Sequence, residues 1–174
     1  MPTYIAFLRA VNVGGTGKLP MAELRRICEA EGFGNVETYI ASGNVVFTDP
    51  RPAAKVKAGL EKRLHAYAGK PVPVILRTAQ QLAAVLEANP FPRAESQSTL
   101  AILLDEAPAA DALETVRNQQ REQLSLGVRE IYVAYRDGIG RSKLRIPAAE
   151  SGTSRNMNTI ARLVELAAAK GRGT

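Results

Sequence analysis

The run Tyr4-Ile5-Ala6-Phe7-Leu8 has no polar face. Side chains of an extended chain alternate between two faces, and here both sets, Tyr4/Ala6/Leu8 and Ile5/Phe7, are apolar. Such a strand must be covered on both sides, so residues 3–11 predict an interior strand, and the rest of the chain has to supply the layers. After Arg9 the run opens into Asn12-Val13-Gly14-Gly15-Thr16-Gly17-Lys18, and Pro20 begins a helical pattern. A strand thus delivers a glycine-rich, cation-bearing turn to the mouth of a helix. Free backbone N–H groups and the helix dipole favour anions at such places.

The elements that follow can be read in order. Met21, Leu24, Ile27 and Cys28 repeat at helical spacing between Pro20 and Glu31, with Gly32 placed to end the helix. Val36–Ala41 and Asn44–Thr48 read as a hairpin turning at Ser42-Gly43-Asn44. Ala53, Val56, Leu60, Leu64 and Tyr67 mark a second helix that stops at Gly69 and Pro71, and Val72–Arg77 is a fourth strand. The order β-α-β-β-α-β is that of the split βαβ, ferredoxin-like unit. Thr78-x-x-Gln81 is a capping box that starts a third helix with Leu82, Val85 and Leu86 inward. Asn89-Pro90-Phe91-Pro92 ends it, and Thr99–Leu104 is a strand. Ala110, Leu113, Val116 and Gln120 predict a helix, Arg129–Arg136 a strand, and Gly140–Leu144 a basic loop or short strand. A final helix is expected from Ser154, carrying Met157, Ile160, Leu163, Val164 and Ala167. The fold class expected is α+β: a ferredoxin-like lobe at 1–77 and a second lobe at 78–174, a rearranged partial copy packed on the first.

The 174 residues suit one ordinary domain or two small lobes. A chain of this size buries roughly 70% of its unfolded surface, so neither disulfide nor metal is needed to fold it. Cys28 is the single cysteine, which excludes an intrachain disulfide and fits a reducing, cytoplasmic setting. The start Met1-Pro2-Thr3-Tyr4 lacks the pattern of a signal peptide, and no apolar run is long enough to span a bilayer, so no membrane association is expected.

The net charge of +6 is unevenly spread. Residues 1–77 hold 11 Lys/Arg against 6 Asp/Glu, residues 78–135 hold 4 against 8, and residues 136–174 hold 8 against 3. Two basic ends around an acidic middle can meet in one anion-attracting surface, or can simply be a solvated exterior of mixed sign.

Several blocks together are similar to one family. They are Leu8–Gly15, Thr38–Phe47, Asn89-Pro90-Phe91, Ile131-Tyr132-Val133, Gly138–Leu144 and Thr153–Thr159. They resemble the bacterial domain-of-unknown-function 1697 family over nearly the whole chain. The resemblance implies two ferredoxin-like α+β lobes and no established activity, so it supplies no catalytic residue. Two positions depart from that family's pattern: Ala10, more often glycine there, and Met157, more often tryptophan.

The candidate site residues each carry a plain structural alternative. The glycine turn fails as a Walker A loop because Asn12 stands five before Gly17 and Leu19 follows Lys18. It fails as a dinucleotide fingerprint because Pro20 stands where a small residue is required. What remains is Asn12, Gly14, Gly15 and Lys18 as an anion cradle, or a tight turn needing positive φ. Arg9, on the Ile5/Phe7 face, needs a partner that is either structural or an anionic ligand. Ser42 and Asn44 either form a turn or present polar groups to the same ligand. Thr153 or Ser154 can cap the last helix, while Arg155, Asn156, Asn158 and Thr159 exceed what capping requires and suit a phosphate or carboxylate. Arg141, Ser142 and Lys143 either close over an anion or form a solvated loop.

The absences narrow the chemistry. His65 is the only histidine, so a zinc site, a Ser–His–Asp triad and a Cys–His pair are all unsupported, and no metal or cofactor is implied. The motif blocks contain no Asp or Glu, leaving Lys18, Tyr39 or a distant carboxylate for acid–base work. Three readings follow. The first is a binding protein for a small phosphate- or carboxylate-bearing ligand, such as a nucleotide, in a basic cleft between lobes. The second is nucleic-acid binding, suggested by the strand order of an RNA-recognition module and a pI near 9.7, but opposed by the scarcity of aromatics in Val45-Val46-Phe47. The third is an enzyme of phosphoryl or acyl transfer, which lacks an evident base.

Overall fold

In a computed structural model, residues 1–9 and 18–172 are described. They form a mixed α+β architecture with four helices and two four-stranded antiparallel sheets. The chain divides into two compact units, Met1–Leu82 with Leu163–Thr174, and Ala83–Arg162. Residues 163 onward, read from the sequence with the second lobe, group with the first unit.

The first unit is built on β1 (Thr3–Leu8), α1 (Met21–Ala30), β2 (Gly34–Tyr39), β3 (Asn44–Thr48), α2 (Ala53–Ala68) and β4 (Val74–Thr78). The sheet order is β2-β3-β1-β4. β1 is interior and all six of its residues are buried, as its two apolar faces require. It meets β3 in the register Ile5↔Val46 and β4 in the register Ala6↔Leu76.

Leu24, Ile27 and Cys28 on α1, and Val56, Leu60 and Leu64 on α2, put single apolar stripes into a core with Tyr4, Ala6, Leu8, Val45 and Phe47. Pro20 is the N-cap of α1, one position earlier than expected, and α2 ends in the left-handed Gly69, whose N–H donates to the His65 carbonyl at 2.9 Å. Phe33 stacks on Phe47 with centroids 4.0 Å apart, and the Arg51 guanidinium lies 5.6 Å from the Phe33 ring centre.

The second unit begins within α3 (Ala79–Glu87) and continues through β5 (Thr99–Leu103), β6 (Gln123–Leu126), β7 (Glu130–Ala134), β8 (Thr153–Asn156) and the first part of α4 (Met157–Arg172). The capping box at the start of α3 is reciprocal: Gln81 N–H donates to Thr78 Oγ1 at 3.1 Å, and Thr78 N–H donates to Gln81 Oε1 at 2.9 Å. The sheet order is β6-β7-β5-β8.

Two expectations need correction here. The helix predicted from Ala110 to Gln120 is one 3-10 turn, Ala112–Thr115. Val116 is extended, Asn118 has φ 58°, and Arg117 exchanges two backbone hydrogen bonds of 2.9 Å with Arg145. Leu113 and Val116 still pack inward, so the apolar spacing was real but a long-range backbone pairing decided the conformation. The chain then alternates Gln123-Leu124-Ser125-Leu126 as β6, a strand absent from the expectation.

The second correction concerns the final helix. Ser154 does not start it. Thr153–Asn156 is strand β8, paired with β5 in the register Ala101↔Arg155, and α4 starts at Met157.

Candidate functional site

The sequence candidates divide between the two units. Asn12, Gly14 and Gly15 lie outside the described residues. Lys18 is exposed, and Leu19 beside it is buried in the first core. Arg9 follows β1 and is half-buried, and its backbone N–H donates to the Pro73 carbonyl at 3.0 Å. Asn44 is fully buried, and its amide N–H groups go to the Tyr39 carbonyl at 2.9 Å and to Ser42 Oγ at 3.0 Å. Both of those acceptors belong to the hairpin, so this amide holds the turn.

The residues after Thr153 lie in the second unit, and their chemistry differs from a helix-start anion site. Arg155 is buried on β8, and its Nη1 donates to Thr153 Oγ1 and to the Ser154 carbonyl, each at 2.8 Å. Burial lowers its pKa to about 10. Asn156 is the true N-cap: its Oδ1 accepts the Thr159 N–H at 2.9 Å. Ser154 and Asn158 are exposed, whereas Thr159 is buried.

Two hollows lie elsewhere in the second unit. A hollow of about 790 Å³ is walled on one side by Pro90–Glu95 and Ser98, and on the other by Gln123, Ala134–Arg136 and Gly138. A second hollow of about 150 Å³ is lined by Asn118, Gln120–Glu122, Asp137 and Arg141–Lys143. Tyr135 and Gly138 line both hollows.

Local hydrogen bonds set the first wall. Phe91 N–H donates to Asn89 Oδ1 at 3.0 Å, and Ala94 N–H to the Phe91 carbonyl at 3.1 Å. With prolines on both sides of Phe91, this turn has little freedom left. Tyr135 N–H donates to the Ser98 carbonyl at 2.9 Å, tying the end of β7 to the end of that loop. Arg136 Nη2 donates to the neutral Gln123 Oε1 at 2.9 Å. Burial, and then the charge of Glu122, push the Tyr135 phenol above its ordinary pKa.

The second hollow depends on Gly138. Its φ of 87° turns the chain into the 3-10 turn Ile139–Arg141, a conformation that a side chain would strain. Ser142 Oγ then accepts the Leu144 N–H at 3.2 Å. The charges there are partly matched: Arg121 pairs with Asp137 at 3.0 Å, and the buried Glu122 carboxylate accepts the Gln120 N–H. Arg93, Arg141 and Lys143 make no ion pair among the described residues and are exposed.

Sequence reasoning flagged Arg141, Ser142 and Lys143 but assigned Tyr135 only to a strand face and missed the role of the Pro90–Ser98 loop. The available signal was a ten-residue stretch without periodicity that carries an aromatic between two prolines. Among the described residues, no group of three or more His, Cys, Asp or Glu is arranged to hold a metal. Cys28 is buried, and its thiol is pushed up to about 12 by burial and then by Glu29 and Glu31, which disfavours the reactive thiolate near neutral pH. Among the described residues, no helix is long and apolar enough to cross a membrane.

The profile of a family described as "protein of unknown function (DUF1697)" matches residues 1–132. Among solved structures, the chain is similar to the conserved bacterial protein SP0830 from Streptococcus pneumoniae, with a TM-score of 0.79 and 24% identity over 95% of this chain and 98% of that one. That likeness concerns the fold. No curated protein matches the chain.

Proposed function

Because the chain belongs to the DUF1697 family, whose description assigns no activity, we propose from its own geometry that it binds a small phosphate- or carboxylate-bearing ligand. The observation that carries this reading is the pair of hollows meeting at Tyr135, with Arg93 and Arg136 on the larger and Arg141 and Lys143 on the smaller. Cations without carboxylate partners at a concave, partly apolar surface favour an anion. The ligand site therefore moves from the glycine turn to the second unit, keeping Arg141, Ser142 and Lys143 from the sequence reading. A cytoplasmic setting, suggested by the single buried thiol, suits such a role.

We also infer ferredoxin-like topology for the first unit. The order β2-β3-β1-β4, antiparallel throughout, with helices after β1 and β3, supports it. The second sheet repeats that order without those two helices, which supports reading it as a rearranged partial copy.

The nucleic-acid reading has weaker support, because Tyr4, Phe7 and Phe47 are buried and offer bases no stacking platform.

Thermal unfolding with and without inorganic pyrophosphate tests the proposal. Saturation should raise Tm by several degrees in the parent chain and not in an Arg141→Ala/Lys143→Ala variant. Both positions are exposed, so the substitutions leave the core intact. Equal stabilisation of the two proteins, or none of either by pyrophosphate and citrate, overturns it.

A further inference from the structure

We propose that the ligand is a nucleoside phosphate, its base in the larger hollow beside Phe91 and Tyr135 and its phosphate in the smaller one at Arg141 and Lys143. This rests on the anion-binding reading above and specifies it. A bare phosphate or a small carboxylate would leave most of the larger hollow unfilled. At about 790 Å³ that hollow falls among cavities that take whole organic ligands, roughly 300–1,000 Å³.

Phe91 lines only the larger hollow, where it joins Tyr135 beside Arg93 and Arg136, while the smaller hollow has Arg141 and Lys143, so the aromatic surface for a base lies on the larger side. Phe91 stands between Pro90 and Pro92, its backbone N–H held by Asn89 and its carbonyl by Ala94, and Tyr135 is tied through its backbone to Ser98. Two aromatic side chains on fixed backbone line one cavity, the arrangement that stacks a heterocycle at small entropic cost. The smaller hollow, about 150 Å³, has room for a phosphate but not for a base and sugar together. Asp137 is paired with Arg121, and the Glu122 carboxylate, held by the Gln120 N–H, keeps its charge, so Arg141 and Lys143 together outweigh it and leave the hollow with an excess of positive charge. Tyr135 borders both cavities, so a ligand passing its ring reaches the two environments at once.

Calorimetric titration of the full chain with AMP, GMP, CMP and UMP, with the corresponding nucleosides, and with inorganic pyrophosphate tests this. At least one monophosphate should bind ten-fold or more tightly than both its nucleoside and pyrophosphate. Phe91→Ala should weaken that monophosphate about ten-fold while leaving pyrophosphate unchanged, and Arg141→Ala/Lys143→Ala should weaken both. Circular dichroism checks that Phe91→Ala is folded, and Tyr135→Leu serves as the second aromatic variant. Pyrophosphate binding that needs Arg141 and Lys143, with no monophosphate tighter and no effect of either aromatic variant, overturns the nucleoside assignment and leaves the anion reading standing. Nucleosides binding as tightly as their monophosphates, or no binding by any probe, overturns both.

Discussion

In the first unit, α1 and α2 each contribute three buried side chains at i, i+3 or i+4 spacing to the core over the β2-β3-β1-β4 sheet. The β6-β7-β5-β8 sheet has the same strand order along the chain, but on its Ile102, Ile131 and Val133 face the core is completed by short pieces: Leu113 in one 3-10 turn, Ala148 and Ala149 in another, and Leu144 and Ile146 between strands. A helix lays a continuous stripe on a sheet, whereas isolated turns contribute one or two side chains each and leave polar backbone between them. The smaller hollow is bordered by the chain on either side of such turns, at 118–122 and 137–143. The comparison teaches that one sheet plan can serve as a packed scaffold or as a site, depending on what replaces its helices.

The sharpest way to break that comparison is to cut equivalent volume from each cover. Leu60 on α2 is fully buried, so Leu60→Ala should cost about 2–5 kcal/mol. Leu113, only half-buried against the second core, should cost roughly 1–2 kcal/mol on the same change. Urea unfolding of the two variants measures both. Equal losses would mean that the second cover is packed as tightly as the first.

Next in size is the seam that holds β8 in the second sheet. A Cβ on Gly152 would sit 2.6 Å from the Leu103 carbonyl oxygen, and backbone there cannot swing aside. Gly152→Ala should destabilise by about 1–3 kcal/mol through displacement of β8 from β5. Amide hydrogen exchange would locate the loss at Thr153–Asn156. Unchanged protection there would show that the backbone takes up the added methyl without moving β8.

The first unit carries an electrostatic seam of its own. Arg51 bridges Asp49 at 2.8 Å and Glu31 at 2.9 Å, while Arg63 holds Glu31 at 2.7 Å. The Arg51 hydrogen bond keeps the Asp49 carboxyl below its ordinary range. Burial pushes Glu31 up, but hydrogen bonds from Arg63 and Arg51 outweigh it and hold Glu31 low as well. A depressed folded pKa adds stability that is complete above the ordinary carboxylate range and is lost as pH falls through the folded value. The parent should therefore lose stability on acidification below about pH 4–5, and Arg51→Ala should show a shallower acid slope. At neutral pH the variant should be about 1–2 kcal/mol less stable, held to that range because Arg51 is itself about one-third exposed. Parallel acid slopes for the two proteins would remove these pairs from the account.

The same contrast explains which parts could be read in advance. In the first unit local signals and tertiary structure agree: the two-faced β1 run, the stripes of α1 and α2, and the glycines at 32, 43 and 69, all at positive φ. In the second unit they compete. Ala110–Gln120 has helical spacing, but the Arg117–Arg145 pairing takes the backbone, and β6 follows from an alternation only four residues long. The hollow escaped for a related reason. Phe91 is far from Tyr135 in sequence, and the two line one hollow because Tyr135 N–H reaches the Ser98 carbonyl, while Gly138 turns the chain that carries Arg141 to the other hollow. Arg155 misled because Ser154-Arg155-Asn156 has the composition of a helix start, while pairing with β5 claims those residues first.

The smallest effect decides where that last helix begins, and it separates the strand reading of 153–156 from the cap reading. If Ser154 capped the helix, Ser154→Ala would cost about 1 kcal/mol. In the structure Ser154 is exposed on β8 and Asn156 Oδ1 takes the Thr159 N–H, so the loss should fall on Asn156→Ala, at about 1 kcal/mol, with Ser154→Ala within about 0.5 kcal/mol of the parent. Asn156→Asp should retain most of the stability, because a carboxylate accepts the same N–H and faces the positive end of the helix dipole. A reversal of the two alanine effects would return Thr153–Asn156 to the helix. It would also withdraw the claim that the second sheet is completed by a strand at the position β4 holds in the first.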